Sequence, residues 1–121
     1  MALSRCDCSG IRLLFGLVLV LLTWLALTPA PMALPEVPIA DKWAHMLAYL
    51  VLATLIDLGW PDRGFDPAKW GFLFAYGVAI ELIQSQIPNR YFSLGDMVAN
   101  SAGIAAYGLL VIHLFRARGW R

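Results

Sequence analysis

Four apolar stretches, each long enough for a helix and each closed by prolines, glycines or charged residues, occupy nearly all of this 121-residue chain. A helix rises 1.5 Å per residue, so crossing the roughly 30 Å hydrocarbon core of a bilayer takes about 20 apolar residues. Four such crossings with short connections use up the length. That leaves one domain over residues 1–121 and no room for a separate soluble catalytic unit. Composition agrees, with 60% of residues hydrophobic and only 14% charged, against about 25% charged in an average soluble domain. The predicted class is all-α: a polytopic membrane protein with four transmembrane helices in a small bundle.

The first span is expected over about residues 11–27, flanked by Arg5 and Arg12 and stopped by Pro29, Pro31, Pro35 and Pro38, since proline removes a helix donor and clashes with the preceding turn. Its apolar region exceeds the length usual for a signal peptide, and no good small-residue cleavage pair follows, so it reads as a retained helix. The second span is expected over 42–59, closed by Trp60, Pro61, Asp62, Arg63 and Gly64, with Asp57 at the headgroups. The third is expected over 68–87, with Asp66 as N-cap and Pro67 at the first helical position. The fourth is expected over 95–115, after the break at Pro88, Asn89 and Arg90, and Ser93 with Asp96 has capping-box spacing. Cys6 and Cys8 are poorly spaced for a mutual disulfide and supply half of a four-ligand zinc site, so they read as two thiols in a mobile terminus. They precede the first apolar stretch, whereas a lipoprotein cysteine follows its signal.

Cytoplasmic loops hold the excess of Lys and Arg, which orients the bundle. With the amino terminus inside, Arg5, Arg12, Arg63, Lys69, Arg116, Arg118 and Arg121 are cytoplasmic and only Lys42 and Arg90 are outside. Both termini are therefore expected in the cytoplasm, and the chain in the plasma (inner) membrane of a bacterium. Trp24 and Trp43 then mark the outer interface, and Trp60, Trp70 and Trp120 the inner one. A net charge of +1, with no basic stripe interleaved with aromatics, argues against a nucleic-acid partner. Oligomeric state is not legible.

The ionisable residues set into the apolar stretches fall mostly toward one end. Residues three or four apart share a helix face, so Asp41, His45 and Tyr49 form one stripe, Gly77, Glu81 and Gln84 a second, and Asp96, Asn100 and Gly103 a third. The small residues at 77, 99, 102, 103 and 106 allow close helix approach. Glu81 is expected about 10 Å below the outer interface, where a carboxylate needs a counter-charge or a proton. Lys42 and Arg90 are the basic residues on that side, and Arg90 is the favoured partner for Glu81 or Asp96, leaving Lys42 to reach the headgroups.

The spacing of Asp41, Lys42, His45, Ala48 and Tyr49, then Glu81 and Gln84, then Arg90, Ser93, Asp96, Asn100 and Gly103 resembles the VanZ-like family of bacterial membrane proteins over about residues 41–104. The resemblance implies a multi-span envelope protein of a family named for a member linked to resistance to the glycopeptide teicoplanin.

The leading expectation is a non-transporting membrane protein that binds a polar envelope lipid or cell-wall ligand at its outer face through Lys42, His45, Tyr49, Glu81, Gln84, Arg90, Ser93, Asp96 and Asn100. The alternatives are an enzyme using His45, Asp41 and Glu81 as acid and base on a lipid-linked or cell-wall substrate, and a structural subunit whose polar residues only lock the helices. A metal site from His45, Glu81 and Asp96 suits the ligand chemistry, but no short motif such as His-Glu-x-x-His supports one, so neither metal nor cofactor is expected.

Overall fold

The computed structural model describes residues 5–28, 38–87 and 94–119. They form α1 (Arg5–Leu27), α2 (Pro38–Gly59), α3 (Pro67–Gln84) and α4 (Leu94–Ala106), which continues through a π-helical turn (Tyr107–Val111) into α5 (Ile112–Ala117). Every regular element among the described residues is a helix, and no strand occurs among them. α1 begins earlier than the expected 11–27, and α2 begins at Pro38, a turn before the expected 42–59, because proline is well suited to a first helical position. α3 ends at Gln84 rather than at 87, its last carbonyls being taken by the amides of Ser85, Gln86 and Ile87 in a tight turn. Its start is as expected: Asp66 caps the Lys69 amide at 3.3 Å, and Pro67 follows.

α2 and α3 touch each other, and both touch α1 and α4. The buried positions recur at helical spacing: Tyr49, Leu52, Ala53, Ile56 and Asp57 on α2, and Lys69, Leu73, Gly77, Ile80, Glu81 and Gln84 on α3. On α4 they are Asp96, Ala99, Asn100, Gly103 and Ile104. The middle of each buried face is apolar or small, and its ends are polar. Gly103 sets the closest approach, since a Cβ there would lie 2.3 Å from the Met46 carbonyl and 3.0 Å from the Leu50 amide. Only glycine lets α4 lie against α2 at this distance. In the last helix Tyr107 and Ile112 are both buried five residues apart, and the π turn between them keeps both on the inner face.

The surface reverses the pattern of a water-facing protein. Leu13, Leu17, Val20, Trp24, Val98, Leu109 and Leu114 are exposed, whereas Asp57, Lys69, Glu81, Gln84, Asp96 and Asn100 are buried. Two helices, Cys8–Leu27 and Leu94–Ala117, are long and apolar enough to cross a membrane.

Candidate functional site

Each of α2, α3 and the continuous helix from Leu94 to Ala117 carries, on or beside its buried face, a pair of polar residues three helical turns apart. The pairs are His45 and Asp57, Lys69 and Glu81, and Asp96 and Tyr107. Eleven or twelve residues at 1.5 Å each separate the members of a pair by about 16 to 18 Å. The bundle therefore has two polar poles with an apolar band between them.

The first pole gathers the start of α2, the end of α3 and the start of α4. His45, Glu81 and Asp96 each bring one nitrogen or oxygen into a group whose atoms all lie within 4.8 Å of one another. His45 Nε2 is 3.6 Å from Asp96 Oδ2. The other carboxylate oxygen of Asp96, Oδ1, accepts from the Lys42 ammonium, so Lys42 is paired to Asp96 instead of reaching away toward headgroups. Glu81 is 1% exposed, deeper than Asp96. A set of one imidazole and two carboxylates is chemically able to hold a cation or to accept and return a proton.

Beside the group lies a cavity of about 220 Å³. His45, Tyr49, Glu81 and Asn100 give it a polar side, while Leu22, Leu25, Ala48 and Ile80 supply apolar wall. Its volume corresponds to roughly seven waters at about 30 Å³ each. That admits a small headgroup or a short acyl segment. Gly77 lets α3 pack closely on Asn100 and Tyr49, since a Cβ there would lie 3.2 Å from both Asn100 Nδ2 and the Tyr49 hydroxyl. Asn100 is buried, and among the described residues its Oδ1 has no hydrogen-bond partner.

The three stripes read from the sequence thus meet. Gln84 belongs to them but faces α1, donating from Nε2 to the Ala26 carbonyl at 2.7 Å. It ties α3 to α1 at the rim of the cavity. The participation of α1 was not visible in the sequence, because its contribution is a backbone carbonyl and leucine side chains. Arg90, Ser93 and the side chain of Asp41 lie outside the described residues, so the expected pairing of Arg90 with Glu81 or Asp96 does too.

The second pole was missed. Lys69, counted in the sequence only among the cytoplasmic charges, is buried and donates to Asp57 Oδ1 at 2.8 Å, to the Asp57 carbonyl at 3.2 Å, and to the carbonyls of Trp60 and Arg63 at 2.8 Å each. Asp57 is fully buried within the bundle, and its Oδ2 accepts from the Tyr107 hydroxyl. Arg12 closes the pole from α1, donating from Nε to the Gly59 carbonyl at 2.6 Å with its guanidinium 5.1 Å from the Trp60 ring centre. Cys8 is likewise not a mobile thiol. It is buried on α1, with Sγ 3.9 Å from the Leu58 carbonyl.

Comparison of the chain with known protein families, with curated proteins and with solved structures finds no match.

Proposed function

We propose that this chain is a four-span protein of the bacterial inner membrane, of the VanZ-like kind, that holds the polar headgroup of an envelope lipid or cell-wall precursor in the first pole. In this reading α1 to α3 and the last helix all cross the bilayer, both termini are cytoplasmic, and the first pole faces outward. The observation that carries it is the convergence of His45, Glu81 and Asp96 from three helices beside a cavity with one polar side and apolar walls. Such a lining suits an amphiphile whose polar end meets the three side chains and whose apolar end lies along Leu22 and Leu25. The apolar exterior of the bundle supports lipid surroundings, because bilayer hydrocarbon is the medium in which exposed leucines cost nothing and buried charges need internal partners.

The orientation rests on the distribution of Lys and Arg. Lys69, being buried at the second pole, still adds its charge to that end, together with Arg12 and Arg63. Native mass spectrometry of the full chain, released gently from bacterial membranes, tests the proposal. The wild type should retain a zwitterionic, amine-bearing envelope lipid whose ammonium meets the carboxylates, and Glu81→Gln and Asp96→Asn should each lower its occupancy at least fivefold. Equal lipid occupancy in wild type and both variants would overturn the reading. A phenotype follows from the resemblance: expression should alter teicoplanin sensitivity, and the same two substitutions should abolish the change.

A further inference from the structure

The geometry points to a binding site for a divalent first-row transition ion at the first pole, with His45, Glu81 and Asp96 as its ligands. This goes beyond the lipid reading and stands without it, because the ion is held by the chain's own side chains.

The ligand atoms are close to where such an ion needs them. Zinc binds imidazole nitrogen and carboxylate oxygen at about 2.0 to 2.2 Å, which places tetrahedral ligand atoms about 3.4 Å apart. His45 Nε2 and Asp96 Oδ2 are already 3.6 Å apart, and Glu81 completes a set within 4.8 Å. The remaining gap is within reach of a small χ rotation of the glutamate, the longest of the three side chains. A motif search is blind to the set, because its members stand on three helices and are 36 and 15 residues apart in sequence.

A second observation is independent of the cluster. Asn100 is buried with its Oδ1 lacking a partner among the described residues, and it lines the cavity that His45 and Glu81 also line. A buried amide oxygen without a donor is unfavourable, and a cation or its bound water supplies what it lacks. Lys42 fits the same picture as a positioning residue. Its ammonium holds Asp96 Oδ1 and leaves Oδ2 toward His45, as second partners of metal-bound carboxylates do. The Lys42 side chain is part-exposed, so water screens its charge from the ion.

The single imidazole sets the class of ion. Magnesium and calcium take oxygen-only sets, whereas zinc, manganese and iron accept mixed nitrogen and oxygen ligands. The cavity leaves a coordination position open beside the ion for water or an anionic oxygen.

The test uses the full chain in detergent, stripped with chelator and titrated with zinc chloride. The expected result is one equivalent bound. His45→Ala and Glu81→Gln should each weaken the affinity at least tenfold, and Asn100→Ala should weaken it less. Cobalt(II) substituted for zinc should give visible d–d bands that shift or vanish in His45→Ala, a change that loss of packing alone does not produce. Circular dichroism establishes that each variant is folded; should His45→Ala unfold, Glu81→Gln and His45→Gln carry the test. Absence of stoichiometric zinc binding, undiminished binding in the folded variants, or displacement of zinc by equimolar magnesium would each overturn the proposal. None of these readouts involves lipid, so failure here is distinct from failure of the lipid reading.

Discussion

At the second pole, Lys69 places its ammonium among four oxygens supplied by the stretch from Asp57 to Arg63, and the Asp57 carboxylate is shared with the Tyr107 hydroxyl. At the first pole, His45, Glu81 and Asp96 stand beside a cavity, and the Asn100 amide oxygen on its wall has no partner among the described residues. The same three helices build both ends. One end is packed solid and the other keeps a space, so a buried charge in this bundle has two different uses. Where every hydrogen-bond position is satisfied internally, the charge fastens helices together. Where donors and acceptors border a void, the arrangement suits something that comes from outside.

Substitutions can break this contrast, and the largest effect belongs to the closed pole. Lys69→Met should destabilise by about 3 to 5 kcal/mol, since it strands the fully buried Asp57 carboxylate. Unfolding in mixed detergent micelles measures this, and Asp57→Leu combined with Lys69→Met should recover much of the loss. A small effect of the single substitution would mean that the second pole is not a fastening. Gly103→Val comes next, at about 1 to 3 kcal/mol, because its Cβ collides with the Met46 carbonyl and must push α4 off α2. Its thermal unfolding should also be lower than that of Gly77→Ala, where the crowded atoms belong to side chains able to shift. Gln84→Ala should cost about 1 kcal/mol through its lost bond to Ala26. Glu81→Gln should have the smallest effect on unfolding, below about 1 kcal/mol, while lowering the retention of lipid and of zinc. If Glu81→Gln instead destabilised as much as Lys69→Met, the two poles would be alike and the first would be a second fastening.

Much of the first pole was legible. His45 and Tyr49, Glu81 and Gln84, and Asp96 and Asn100 show a three- or four-residue spacing that survives folding, because each helix is regular where they stand. The cap at Asp66 was legible because it depends only on the next three residues. The pairing of Asp57 with Lys69 was missed for the opposite reason. Next to a polar turn, a charged residue in the sequence looks like a surface residue, and only the packing of α2 against α3 reveals that the two side chains meet. The three-turn spacing of His45 with Asp57 and of Lys69 with Glu81 was the available signal. It shows that both members of each pair share the buried face. Tyr107 escaped because a tyrosine within an apolar run carries no spacing signal of its own, whereas His45, Glu81 and Asp96 were named together as possible ligands and set aside because no short motif on a single helix joins them.

The oxygens that receive Lys69 all lie six to twelve residues upstream, in the end of α2 and the turn that follows. Such a knot can tie itself as the polypeptide emerges, with the Tyr107 hydroxyl joining it later. The helical hairpin from Pro38 to Gln84 can thereby close around its most awkward cation before the final helix has been synthesised.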